Sequence, residues 1–136
     1  MTTTLDIDTL NRRFGNAKHI RFLSGPGGLS LVEITNAEAK ASLVLEGGQV
    51  LTYEPAGHAP VLWLSPQARY QAGKSIRGGI PVCWPWFGPH AFDASKPVHG
   101  FARNAPWNVL ETQVENDRAA RIVLELIATD AQRALW

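Results

Sequence analysis

The sequence predicts an all-β protein of antiparallel strands, and three observations carry that expectation. Short segments of alternating apolar and β-branched residues recur at roughly ten-residue spacing. Glycine-rich and Asx-type turns punctuate them. Between them no helical stretch is long enough to serve as the crossover of a βαβ unit, which disfavours an alternating parallel fold. With 136 residues, the chain lies in the range of one domain and is long enough to bury a core.

Residues 5–16 open the chain with a short amphipathic pattern. Asp6 or Asp8 stands at the start of this expected helix and Gly15 at its end, with Leu5, Leu10 and Phe14 on one side. From His19 the pattern changes to strand. HIRFLSG (19–25) alternates, GPGG (25–28) turns, and LSLVEITN (29–36) is rich in β-branched residues. AKASLVLEGG (39–48) places Ala41, Leu43 and Leu45 on one face before a Gly-Gly turn, and QVLTYEP (49–55) resumes after it. PVLWLS (60–65) reads as a further strand, followed by the polar connection SPQARYQAGKSI (65–76). WNVLETQVEN (107–116) and RAARIVLELIATD (118–130) return to strand character around an Asn116-Asp117 hairpin tip. The closing DAQRALW carries no capping signal of its own. The expected total is about eight strands of a β-sandwich. Two final strands without outer neighbours would leave an open edge. Residues 1–136 are therefore expected to be the front portion of one larger sandwich domain.

Composition excludes several function classes. Thirteen basic side chains stand against 12 acidic ones, so no bulk field points to nucleic acid or an anionic membrane. Apolar runs fall far short of the roughly 20 residues a membrane span needs. The start, MTTTLDIDTL, lacks the basic and apolar regions of a secretory signal. Cys83 is the single cysteine, so no internal disulfide can form and a reducing compartment is expected. A soluble cytoplasmic protein fits these observations.

The chemistry-bearing stretch is RGGIPVCWPWFGPHAFDASKPVHGFAR, from Arg77 to Arg103. Its prolines forbid a long helix, yet it holds large aromatics that must pack against something. Asp93 is its one carboxylate. Arg77 precedes two glycines, which let backbone approach closely, and its guanidinium can make paired hydrogen bonds to oxygen acceptors. Trp84 and Trp86 are expected to divide between an aromatic platform for sugar C–H faces and a plug for the core. Cys83, His90 and His99 match no zinc-ligand spacing, and Cys83 is expected to be a buried free thiol. HGFAR (99–103) sets an imidazole near a second guanidinium, a pairing suited to hydrogen bonding or proton transfer beside a cation. GPGG lacks the Lys-Ser/Thr and helix of a phosphate loop. His19 and His58 receive no role.

SIRGGIPVCWPWFGPH followed by VHGFARNAPWNV resembles the hexose-6-phosphate mutarotases (glucose-6-phosphate 1-epimerases) of the aldose 1-epimerase, or galactose mutarotase-like, superfamily. The likeness extends from about residue 40 onward. It implies an antiparallel β-supersandwich and interconversion of the α and β anomers of a hexose 6-phosphate, with neither metal nor organic cofactor. A glutamate base would take the proton of the anomeric hydroxyl while a histidine acid protonates the ring oxygen, so that the ring opens and recloses. Carried over by motif, Arg77, His99 and Arg103 bind the substrate, and His99 supports catalysis near the ring oxygens. A glutamine that touches substrate in some relatives is Val98 here. The acid histidine and base glutamate of the family lie in later segments that this chain does not contain. Glu111, Glu115 and Glu125 lie in strand-like segments that do not match the motif of the base. The fragment alone is expected to be inactive, and the full-length protein a monomer. Two alternatives stay open: a non-catalytic sugar-phosphate binding module, and a mutarotase for unphosphorylated aldoses.

Overall fold

The structure is a computed structural model that describes residues 5–136. Six strands form two antiparallel sheets among these residues. β1 (Ile20–Ser24), β2 (Ser30–Thr35), β3 (Ala39–Val44) and β4 (Gln49–Pro55) make a four-stranded meander in chain order. β5 (Asn108–Glu115) and β6 (Ala119–Glu125) pair as a separate ribbon. Register follows the hydrophobic pattern: Phe22 faces Val32 and Val32 faces Leu43, which lines up one buried face across three strands.

The amphipathic opening forms α1 (Ile7–Phe14), with Asp6 as its cap. The Asp6 carboxylate accepts the Thr9 N–H at 2.8 Å, satisfying one of the donors a helix start leaves open. Asn11 then docks the helix on the sheet. Its amide donates to the Phe22 carbonyl at 2.7 Å and accepts the Phe22 N–H at 2.9 Å. One side chain thus replaces the strand partner that β1 lacks on its outer edge. Leu10, Ile20, Phe22, Val32, Leu43 and Val109 form the main core, which joins α1, the meander and the β5–β6 ribbon.

The meander is covered on its other face too. Leu29, Val44, Leu51 and Ile76 cluster there beneath Leu64, Ala68 and Tyr70 of the long connection. Leu43 and Leu45 enter the main core by ordinary alternation, while a register shift beside Leu43 leaves Leu51 as the extra residue of β4, buried in the second cluster. Ala41, expected on the same face, is half-buried.

Two expectations need correction. PVLWLS is not a strand. Its backbone forms no continuous ladder, only the Val61 N–H to Tyr53 carbonyl bond (2.8 Å) and an isolated Leu64–Gly78 bridge flanked by the Trp63–Gly79 and Ser65–Arg77 bonds. Pro60 supplies no donor there, and Val61 and Trp63 remain exposed. Among the described residues the strand count is therefore six, not about eight. The closing segment also has a cap: the Thr129 hydroxyl accepts the Gln132 N–H, and Gln132 Oε1 accepts the Thr129 N–H. This reciprocal box starts a short helix, α2 (Asp130–Arg133). Its threonine lies one residue ahead of the segment read as uncapped.

The β5–β6 tip is Asn116-Asp117 as expected, with Asn116 at φ 53°. Asp117 and its neighbours tie this tip to the meander. The Ala37 N–H donates to the Asp117 carbonyl at 2.7 Å, and the Asn36 amide donates to the Arg118 carbonyl at 3.0 Å. The Asp117 carboxylate takes Lys18 Nζ at 2.6 Å and His19 Nε2 at 3.1 Å, while His19 Nδ1 meets the Thr35 carbonyl at 2.9 Å. His19, given no role from sequence, is a buried strut between the two sheets.

Two outcomes follow from this packing. Phe22→Ala is expected to cost about 3–5 kcal/mol in urea unfolding, because it removes a wholly buried ring from the main core. The hydrogen bond and charge of Lys18, followed by the charge of His19, hold the Asp117 carboxyl below its usual 3.8. A carboxyl depressed on folding stabilises the fold above its unfolded pKa and loses that contribution as pH falls through the folded value. Asp117→Asn should therefore lower the melting temperature slightly at neutral pH. The gap between the two melting curves should begin to close as the pH falls below about 3.8 and vanish once it lies below the depressed folded value. A constant gap down to acid pH would refute the assignment.

Candidate substrate-binding site

Arg77 sits on a loop whose backbone is held from two sides. Its carbonyl accepts the Ser65 N–H at 3.1 Å, and the Gly79 N–H donates to the Trp63 carbonyl at 2.8 Å. From beneath, the wholly buried Gln49 at the head of β4 donates its amide to the carbonyls of Ile76 (3.1 Å) and Gly78 (2.5 Å). The Ile80 N–H then reaches the Val50 carbonyl at 2.8 Å. Such close approach demands the glycines. Gly79 has φ +65°, and a Cβ there would stand 2.1 Å from the Val50 oxygen. The backbone is fixed while the Arg77 side chain is exposed.

The second wall is built from the aromatic segment. Trp84 and Gly100 form a parallel bridge, and the Trp84 carbonyl accepts the N–H groups of Phe101 (3.0 Å) and Ala102 (3.1 Å). Gly100 has φ +72°, and a Cβ on it would lie 2.1 Å from the same Trp84 oxygen. Phe101 is buried, and both indoles meet it edge-on, with centroids at 5.5 Å for Trp84 and 6.5 Å for Trp86. The expected division of the two tryptophans is thus incomplete, because positions two apart in an extended chain share a face. Trp86 Nε1 donates to the Pro97 carbonyl at 2.9 Å, anchoring the return of the loop. The freely presented ring in this segment nearest His99 is Phe87, 82 % exposed and 4.7 Å from the imidazole centroid. Cys83 is half-buried, not buried as expected, because it borders an apolar hollow with Trp84 and Trp107.

His99 has φ +66°, an uncommon conformation for a residue with a side chain. Two bonds to Gly88 hold it: the His99 N–H donates to the Gly88 carbonyl at 2.8 Å, and Nδ1 accepts the Gly88 N–H at 2.9 Å. An Nδ1 that accepts a backbone N–H leaves the ring proton on Nε2. His99 therefore offers a hydrogen-bond donor at its outer nitrogen.

Arg103 follows in a 3₁₀ turn spanning Ala102–Asn104. Its Nη2 donates to the Val98 carbonyl at 2.8 Å, and its buried Nε has no partner among the described residues. Arg77 and Arg103 come together on one cavity of about 420 Å³, with Ser75, Gly78, Gly79 and Pro81. His99 does not line it; it stands on the adjoining loop. A second cavity of about 550 Å³, lined by Gln67, Arg69, Ser75 and Arg77, shares Ser75 and Arg77 with the first. Sequence reasoning passed over Arg69 as part of a polar connection. A signal was available: no carboxylate occurs between Glu54 and Asp93, while Arg69, Lys74 and Arg77 do.

Among the described residues no carboxylate lines either cavity. Among the described residues Arg69, Arg77 and Arg103 belong to none of the ion pairs, which involve Lys18, His19, Arg118, Arg121 and Arg133. Glu111 lies on the β5–β6 ribbon, 3.6 Å from Arg121. The cleft can attract and orient an oxyanion. It holds no carboxylate base to move a proton.

Comparison with known proteins gives this cleft its setting. The aldose 1-epimerase family model matches residues 30–136. Relatives from Salmonella typhimurium and Escherichia coli, each named "putative glucose-6-phosphate 1-epimerase", are 42% identical over 108 residues. That stretch covers 79% of this chain and 36% of each relative, so the chain spans little more than a third of their length. Among solved structures, the Salmonella typhimurium protein YeaD superposes with a TM-score of 0.75 at 39% identity, over 86% of this chain and 38% of its own. Slr1438 from Synechocystis gives a TM-score of 0.59 at 33% identity, over 69% and 35%. The antiparallel sheets match the mutarotase-like β-sandwich that the sequence predicts. With more than half its length matched by the family model and its sheets superposing on a solved relative, the chain belongs to the aldose 1-epimerase family.

Proposed function

We propose that this chain forms the substrate-binding side of an enzyme that interconverts the α and β anomers of a hexose 6-phosphate. The observation that carries the reading is the convergence of Arg77 and Arg103 on one cavity free of carboxylates. A guanidinium supplies both charge and two-point geometry to a phosphoryl or sugar oxygen. His99 adds a neutral donor from the adjoining loop and supports catalysis by hydrogen bonding near the ring. Family membership and the names of the relatives agree with the reaction class.

The proton-transfer pair lies outside this chain in the same reading. Residues 1–136 are the N-terminal portion of a single larger domain, a proposal that rests on the third of each relative's length that the chain spans. An apolar groove supports it. Ile34, Leu43, Val50, Tyr53, Val61 and Ile122 line an open hollow between the meander and the ribbon, where further strands of a sandwich would pack.

The absence of a lining carboxylate also favours a second reading, a sugar-phosphate binding module without catalysis. One experiment separates them. Exchange NMR on the full-length protein should show accelerated anomer exchange of glucose 6-phosphate; binding without acceleration would select the second reading. In the active protein, Arg103→Ala should raise KM by about tenfold or more, the loss expected for a charge-assisted hydrogen bond. An unchanged KM would remove Arg103 from the site.

A further inference from the structure

The Arg77–Arg103 cavity does not end at Arg77. The adjoining cavity of Gln67, Arg69, Ser75 and Arg77 continues it along the connection between residues 65 and 77. The two hollows share Ser75 and Arg77, so Arg77 is the hinge of one cleft that carries three guanidinium groups. Arg69 and Arg77 are exposed, and their side chains make no hydrogen bond or ion pair among the described residues. Glu46, whose carboxylate accepts the Gly73 N–H of this connection, lines neither cavity. Ser75 and Gln67 add neutral donors between the charges. Three like charges along one cleft repel one another and gain nothing unless an anion sits among them.

We infer that the Gln67–Arg69–Ser75–Arg77 cavity is a phosphoryl subsite, and that Arg69 determines preference for phosphorylated over unphosphorylated sugar. The inference rests on the hexose 6-phosphate reading above. Arg77 bridges the two parts: the sugar ring lies on the Arg77–Arg103 side and the phosphoryl group reaches toward Arg69. Tyr70, next in the chain, is packed against the Leu29–Val44–Leu51–Ile76 cluster. The backbone that carries Arg69 is therefore anchored while its guanidinium is free to meet a ligand.

The test compares glucose 6-phosphate, glucose and inorganic phosphate on the full-length protein with Arg69→Ala and Arg69→Lys. Arg69→Ala is expected to reduce kcat/KM for glucose 6-phosphate about tenfold or more, mainly through KM. The value for glucose should move by less than about twofold. Arg69→Lys should recover much of the loss, since it keeps the charge but not the two-point geometry. Equal losses on both sugars, or no loss in a variant that melts like the parent, overturn the assignment. The subsite is also read without turnover. Inorganic phosphate should shift the amide resonances of Ser75–Gly79, and Arg69→Ala should weaken that binding by about tenfold. If the parent accelerates neither sugar yet these shifts appear and depend on Arg69, the epimerase reading fails and the subsite stands. If phosphate shifts nothing, the subsite fails whatever the activity. Tighter binding of inorganic phosphate than of glucose 6-phosphate would mark a free-phosphate site and overturn the specificity role.

Discussion

The buried amide of Gln49 is the constraint on which the cleft depends. Its side chain is wholly enclosed and donates to the carbonyls of Ile76 and Gly78, the two residues that flank Arg77. A buried polar group is tolerated only when its bonds are made, so this amide and the loop specify each other. Gln49 stands at the first position of β4, whose register with β3 is fixed by the Val44–Gln49 pair. The meander thereby sets the position of Arg77 by a short chain of contacts: strand pairing, buried amide, loop carbonyls. Both loop bonds come from Nε2, and the Oε1 of Gln49 has no partner among the described residues.

The second wall reaches the same rigidity by a different route. No strand ladder runs through residues 80–100, and the segment is held by an aromatic cluster and a single shared carbonyl. Phe101 sits beneath two indole edges, and the Trp84 carbonyl takes two backbone donors at once. Edge-to-face packing adds direction to the burial of large rings. It therefore orients a loop that has few backbone bonds of its own. The left-handed backbone at His99 and Gly100 turns the chain from this cluster into Arg103. Both arginines are thus carried on backbone that is ordered before any ligand arrives, which lowers the entropy lost on binding.

Period-two alternation and turn residues made the meander legible in the sequence, and the shared burial of Phe22, Val32 and Leu43 against one core fixes their register. α1 was legible because Asp6 and Gly15 bracket an apolar stripe. PVLWLS misled because alternation reports a half-buried extended segment, not a paired one; a strand needs a continuous ladder, and this segment has only separate bonds between Val61 and Tyr53, Trp63 and Gly79, and Ser65 and Arg77. The short α2 escaped because its cap lies outside the seven residues that looked unstructured. At the site, Arg77 and Arg103 were visible through their glycine and histidine neighbours. His99 was visible as well, though its bond to Gly88 depends on a loop closure that no local pattern encodes. Arg69 stayed hidden because a lone arginine in a polar loop has no local signature; only the long gap in carboxylates around it sets it apart. His19 was hidden for a related reason, since its partner Asp117 is distant in sequence.

The charges and the tautomer together divide the chemistry. A general acid for ring opening must deliver a proton and afterwards recover it. A His99 whose Nδ1 is committed to the Gly88 N–H would have to surrender its Nε2 proton and become an anion, or break that bond to gain a second proton. Either course is poor for an acid, while donating one hydrogen bond from Nε2 costs nothing. The guanidiniums are poorer still as proton carriers, because they do not deprotonate in proteins. What the cleft can do is raise the local concentration of an anion and fix its orientation, and the lack of carboxylates protects that ability from internal neutralisation. A glutamate base placed among Arg69, Arg77 and Arg103 would be held by them as an ion pair and would lose basicity as its charge was stabilised. In the proposed reading, separating the anion-binding wall from the proton-transfer groups avoids that conflict. The same separation accounts for a cleft so rich in cations on a chain whose formal net charge is only +1.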